Sequence, residues 1–330
     1  MSSTTSRPAP GPATPSGPVT PSGPVTPSAT ATADRVRTIP RPDEPIPVLP
    51  WPTIGLFVVA ATVYAASTAL GATGSWPWPV STLVNGVAAF ALFTVAHEAG
   101  HAAASARPGI NRWLGRLALP FFTPLASHGV FRFIHMQHHR FTNHEDGSDP
   151  DHWTQGGPAW TLPLRWLTVD LRYVAFYLPK ASARPRSEKR ETLISFVLVV
   201  GALVALTALG FGFEVLVLYL LPGRIAVFLL AWSFDWVPHH GLHDTPKTNR
   251  FRATRNIVGR ERLLTPLMLY QNYHLVHHLH PVIPFYRYIA VWRGREDAYL
   301  DQDPALASPL GRPVTAEEQR RLRALDHHHG

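Results

Sequence analysis

The sequence predicts an all-α integral membrane protein: about four transmembrane helices in two hairpins, with interfacial helices and a histidine-rich cytoplasmic cap. Three observations predict it. Thr53 to Leu70, Val80 to Ala96 and Thr192 to Phe213 carry no acidic or basic residue, and Ile225 to Phe234 adds a shorter apolar run. With their flanks, the first three reach the ~20 apolar residues that a bilayer span needs. The basic residues avoid these runs: of 30 Lys and Arg, four lie in residues 1–50, twelve in 105–190 and thirteen in 239–330, with Arg224 the remainder. The positive-inside rule then puts both termini and the middle loop in the cytoplasm, with short turns near 71–80 and 211–222 outside. Finally, the histidines gather in blocks on that same basic side.

Taken in order, residues 1–50 form a Pro/Ser/Thr-rich cytoplasmic tail, in which TPSGPV repeats over 14–28. Such a tract buries too little apolar surface to fold, and it is not a secretory signal. The domain that follows covers 51–296. Its first two spans make a hairpin whose second helix brings His97 and His101 to the inner edge of the hydrocarbon. Trp113 to Val130 is apolar but broken by Pro120 and Pro124, which suits an interfacial helix. Trp160 to Leu178 mixes large apolar residues with Arg165, Asp170 and Arg172, an amphipathic surface pattern. In the second hairpin, Val215 to Leu221 reads as an outer interfacial piece and Pro222 as the start of a short inner helix. That arrangement puts Arg224 near the far interface. Pro266 to His280 reads as one helix ended by Pro281 and Pro284. Residues 297–330 form a polar tail with a short helix after Thr315, where Thr315 and Glu318 suit a capping box. His327, His328 and His329 sit at its frayed end as bystanders.

A net charge of +8 and a pI near 10.1 could suggest nucleic acid, but the distribution of charge favours lipid headgroups. The absence of cysteine excludes disulfides, thiolate zinc sites and iron–sulfur clusters built from this chain. Any redox chemistry therefore draws electrons from another protein.

The histidine blocks carry the chemistry. His135, His138 and His139 form HxxHH, whose i, i+3 and i+4 positions share one helix face and so aim three imidazoles at one point. His274, His277 and His278 repeat it, His97 and His101 form HxxxH, and His239 follows Val237-Pro238. Nine histidines exceed the three protein ligands of one catalytic zinc and suffice for two metals at four or five each. HEAGH also satisfies the HExxH pattern of zinc proteases, with Glu98 as base. No later span supplies the LDG-type aspartate such proteases need, and both HxxHH blocks would be left without a role.

These blocks around two membrane hairpins resemble the membrane fatty-acid desaturase and hydroxylase superfamily, over roughly residues 53–295. Asp149 to Trp153 (DPDHW) with Gly156 to Pro158, Phe234 to His239 (FDWVPH) and Gln271 to Tyr288 resemble the bacterial β-carotene 3-hydroxylases within it. The related ketolases differ after DPD and before the last HxxHH. The resemblance implies a di-iron centre in the cytoplasmic cap, with His97, His101, His135, His138, His139, His239, His274, His277 and His278 as ligands. Glu98, Asp149, Asp235 and Asn272 are candidates for orienting those ligands, and His152, His240 and His243 are secondary metal candidates. It further implies O2 as co-substrate, an external electron donor such as ferredoxin with its reductase, a lipophilic substrate and a multi-pass place in the inner cell membrane. The expected activity is hydroxylation of carotenoid rings, with acyl-lipid desaturation or hydroxylation as the alternative. HEAGH in place of HDxxH and the Pro-rich tail depart from the pattern without removing a ligand.

Overall fold

A computed structural model describes residues 39 and 42–328, with side chains as far as Leu325. The 14–28 repeat and the side chains of His327 to His329 lie outside the described residues. Helix α1 (Trp51–Ala72) and helix α2 (Trp78–Gly100) form the first hairpin, each opened by proline at its first turn, where the missing N–H costs nothing. Helix α2 is apolar on every side, and nearly every residue from Ala88 to Gly100 is buried. It is therefore the central post of the bundle.

The second hairpin starts with α7 (Arg186–Leu206) and turns at Gly210, whose φ of +98° suits glycine alone. It returns as α8, a continuous run of α and π turns over 212–239. Thr192 bonds to Ser127 at one end and Phe213 packs on Trp78 at the other, so both arms reach the histidine side. Val215 to Leu221 is thus part of this helix, not a separate interfacial piece. The chain passes Pro222 by forming a π segment just before it, Leu216–Leu220. Pro222 has no N–H, which leaves the carbonyls of Val217 and Leu218 free. Thr82 Oγ1 donates to the first at 2.6 Å; Tyr64 Oη at 2.9 Å and Asn85 Nδ2 at 3.0 Å donate to the second. Neighbouring spans so satisfy what the proline leaves open, which an apolar solvent demands. Thr82→Val is expected to cost about 1–3 kcal/mol of stability, and less in a Pro222→Ala background that restores an N–H. An unchanged midpoint of unfolding for Thr82→Val would sink this account.

On the histidine side, α3 (Pro108–Ala118) breaks at Pro120, and α4 (His128–Phe141) begins under a Ser127 cap whose Oγ accepts from Val130 N. Two short helices, α5 (Leu162–Leu167) and α6 (Val169–Tyr177), then cross α8. They correct the expected place of Arg224. Its guanidinium donates to the Leu167 carbonyl at 2.9 Å and grips the Asp170 carboxylate at 2.8 and 2.5 Å, so its charge is neutralised against α6. Next to it Gly223 meets the Phe122 carbonyl, which a Cβ would approach to 2.9 Å.

The cap adds what hydropathy does not reveal: a small sheet in an otherwise helical chain. Strand β1 (Arg255–Ile257) pairs in parallel with β2 (Ala305–Ala307), which pairs antiparallel with β3 (Pro313–Val314). The expected Pro266–His280 helix is instead three pieces: α9 (Glu261–Leu267), a 3-10 turn at Gln271–Tyr273, and α10 (His274–Leu279). Leu269 and Tyr270 have φ of 46° and 68°, a left-handed pair that no helix can contain. After α11 (Tyr288–Arg293) the polar C-terminal segment folds back instead of trailing free. Its helix α12 (Ala316–His328) brings Arg323 to Glu261 at 3.0 Å and Gln319 to Glu296 at 2.7 Å. Thr315 caps it by accepting from Glu318 N, but the Glu318 carboxylate pairs with Arg312 and leaves the expected box half made.

Candidate metal centre

Helix ends and short helices bring nine imidazoles together. They divide into His97, His101, His135, His139 and His277, and a second group of His138, His239, His274 and His278. Within each group the candidate ligand atoms lie within 4.8 Å of one another. The HxxHH blocks therefore do not aim all three rings at one point. Successive residues turn by about 100° on a helix, so i and i+4 stay together while i+3 points aside. His135 and His139 share one group while His138 crosses to the other. His274 and His278 stay together while His277 crosses back.

The nitrogen atoms are arranged as lone pairs needing a cation. His135 Nε2 lies 2.8 Å from His101 Nε2 and 3.2 Å from His139 Nε2, which is 3.0 Å from His277 Nε2. In the second group His278 Nε2 lies 3.3 Å from His138 Nε2 and 3.1 Å from His274 Nε2. Ligands at about 2.1 Å from an ion and at right angles to each other stand about 3 Å apart, which matches these edges. The outer nitrogens already have acceptors: Asp149 Oδ1 for His138 at 2.9 Å, Gln271 Oε1 for His274 at 2.8 Å, and the Tyr288 hydroxyl for His277 at 2.8 Å. Their protons sit outward, so the inward Nε2 atoms present lone pairs. Both nitrogens of His97 and Nε2 of His239 are buried without a protein partner. The residues fit two metal ions.

Burial drives the imidazoles of His139, His277 and His278 well below the ordinary histidine value, aided by the neighbouring rings, so they are held neutral as metal ligands must be. At His138 burial lowers the value, but the charges of Asp151 and Asp149 outweigh it and push it up to about 9. An ion at Nε2 would replace that proton. His138, Asp149 and Asp151 also bring one candidate ligand atom each within 4.8 Å of one another. We read that trio as the ordering of one ligand, because its contacts involve Nδ1 and leave Nε2 to the histidine cluster.

The remaining expected site residues divide sharply. Glu98 reaches no histidine directly; it accepts from Phe285 N at 3.0 Å and from Tyr288 Oη at 3.4 Å, and Tyr288 in turn accepts from His277 Nδ1. With both oxygens so engaged, Glu98 is not disposed as the base of a protease. Asp149 also accepts from Asn143 N and Asp151 N, which fixes the loop after α4. Asp235 bonds no histidine: it faces Tyr173 at 3.5 Å, while His239 Nδ1 turns to the Ala253 carbonyl. Asn272 donates to Thr265 and orients no ligand; its neighbour Gln271 does. His152, His240 and His243 join neither group, and His240 is exposed and stacked on Trp236. Gln271 and Tyr288, not singled out in the sequence, lie in the stretch that carries the resemblance. Gln271 stands three residues before His274, a spacing that could have marked it.

A narrow cavity meets the histidines. It touches His135, His138 and His274 and is walled by Phe93, Phe131 and Phe234, with Tyr173 and Asp235 as polar groups.

Residues 73–309 match the fatty acid desaturase family. The chain is 26% identical to the "Probable fatty acid desaturase DES1" of Sorghum bicolor over 83% of this chain and 78% of that protein. It is 30% identical to a β-carotene ketolase of Paracoccus over 59% of this chain and 71% of that one. An sn-2 acyl-lipid omega-3 desaturase (ferredoxin) of Arabidopsis thaliana is 26% identical over 73% and 60%. The family match covers α2, the second hairpin and every histidine of both groups, in line with the resemblance that the histidine blocks carry. The chain belongs to the fatty acid desaturase family and is a membrane oxidoreductase that uses oxygen.

Proposed function

We propose that each histidine group holds one iron ion and that the enzyme hydroxylates the terminal ring of a carotenoid, drawing electrons from ferredoxin and its reductase. The observation that carries this reading is the phenylalanine-walled cavity that reaches both histidine groups. The DPDHW, FDWVPH and QNYHLVHH wording and the carotenoid ketolase among the relatives support the substrate class. Iron held by imidazoles and supplied with electrons activates O2 for replacing a C–H hydrogen by hydroxyl. The chain's own residues do the rest. Phe93, Phe131 and Phe234 keep water from the reacting carbon and confine an apolar ring. Tyr173, its phenol held protonated by burial and by Asp151 and Asp235, donates to Asp151 at 2.7 Å and so holds the carboxylates behind His138 in place. Asp149 and Gln271 fix the rings of His138 and His274 on either side of the cavity.

The basic loops support an orientation with both termini and the active site cytoplasmic, in the cell membrane. They also suit an acidic electron donor, in which case turnover with purified ferredoxin should fall as salt rises. Expression in a bacterium that accumulates β-carotene, followed by liquid chromatography with mass detection, tests the activity. Ring alcohols with one or two added oxygens are expected. Unchanged carotene together with new double bonds or hydroxyls in the cell's fatty acids would replace this reading by the acyl-lipid one, which the desaturases among the relatives favour.

A further inference from the structure

We propose that the cleft between α3 and α7 is a lateral portal, in which the unreacted length of a hydrocarbon substrate lies while its end reaches the histidines. This rests on the carotenoid reading above and adds the route and the resting place of the substrate. The cavity at the histidines measures about 10 Å³, and it shares Phe93, Phe131, Ile134, Tyr173 and Leu230 with a second, of about 40 Å³. Those volumes admit little more than a water molecule or two, so a long substrate can place no more than its end there. The second cavity in turn shares Leu119 and Ala126 with the cleft, whose volume is about 610 Å³, within the range of sites for sizeable ligands. The three spaces therefore adjoin in sequence, each sharing wall residues with the next, from the cleft to the histidines.

The cleft exists because α7 stands away from the bundle: none of its residues is buried. Its wall on α7 descends from Ser187 and Arg190 at the rim to Ile194, Leu198 and Val199 in the stretch without charges, so the lower part opens into hydrocarbon. Across it stand Trp113 and Leu119. Arg116 is already neutralised by Glu191 at 2.5 Å, and Arg190 lies at the exposed edge. His128, buried beside the cleft, has its Nδ1 unpartnered and its pKa driven down to about 4 by burial, so it adds no positive charge. A walled cleft without a free inner cation suits a neutral polyene rather than an anionic phospholipid.

The test uses the iron-loaded full chain purified from carotene-accumulating cells. Ser195→Trp would fill the cleft and Ala126→Trp the seam behind it, while Val204→Trp, on the lipid-facing side of the same helix, is the control. Both filling variants are expected to keep the parent's iron content and to lose at least tenfold in ring-alcohol formation. Ser195→Trp should also lose the carotene that co-purifies with the parent, read by absorbance, whereas Val204→Trp should change neither. Ser195→Leu repeats the test with a smaller side chain should the tryptophan variant lose iron. A parent that hydroxylates β-carotene while Ser195→Trp and Ala126→Trp do so at the parent rate would overturn the portal alone. A parent that leaves carotene unoxidised and carries phospholipid instead, identified by mass spectrometry, would overturn the function reading and the occupant together.

Discussion

With one iron in each histidine group, as proposed above, replacing His138 by alanine is expected to remove one iron and abolish product, and replacing His139 by alanine is expected to remove the other. The two residues are neighbours in sequence, yet His138 Nε2 faces His278 at 3.3 Å while His139 Nε2 faces His135 and His277 at 3.2 and 3.0 Å. Loss of one imidazole from a group of four or five leaves the other ion's ligands intact, so iron should fall from two per chain to one in either variant. Mössbauer spectra of the two iron-57 proteins should then retain different single components. His243→Ala, at an exposed residue outside both groups, should keep both irons and full turnover. If His138→Ala and His139→Ala retain the same component, the crossed assignment of the HxxHH blocks is wrong.

Asp149→Ala is expected to lower iron affinity in the four-histidine group by about 10–100-fold, the usual consequence of removing the partner behind a ligand histidine. The same carboxylate accepts from His138 Nδ1, Asn143 N and Asp151 N, and it is buried. Each buried donor left unpaired costs about 1–3 kcal/mol, so stability should fall as well. Asp149→Asn keeps an acceptor toward His138 but not the charge, and should fall between the parent and the alanine variant. Iron retention against a competing chelator, read alongside thermal unfolding, separates the two effects. Parent-like retention in Asp149→Ala would mean that Asp151, 3.3 Å from the same Nδ1, orients His138 instead.

Much of the architecture was legible from residue order because the bilayer imposes simple conditions. Runs without charge must be helices of spanning length, and α1, α2 and the α7–α8 hairpin follow from Thr53–Leu70, Val80–Ala96 and the stretches after Thr192. Spacing also fixed which residue types could meet, since i and i+4 histidines share a helix face whatever surrounds them. The nine candidate ligands are accordingly all in the two groups. Other features depended on contacts that spacing does not encode. Continuity of α8 through Pro222 requires donors from Thr82, Tyr64 and Asn85 on other helices, and Arg224 finds its partner on α6. The sheet that pairs residues 255–257 with 305–307 joins segments whose sequences carry no strand signal of their own length. Gln271 and Tyr288, rather than Asn272 and Asp235, meet the Nδ1 atoms of His274 and His277, which is a matter of contacts between elements and not of spacing. The sequence by itself determined the membrane class, through its runs without charge, and the family, through the resemblance of its histidine blocks, and it named the nine imidazoles that the two groups contain. Only the tertiary structure decided which blocks meet, since packing brings His135 and His139 to His97, His101 and His277 while His138 meets His239, His274 and His278.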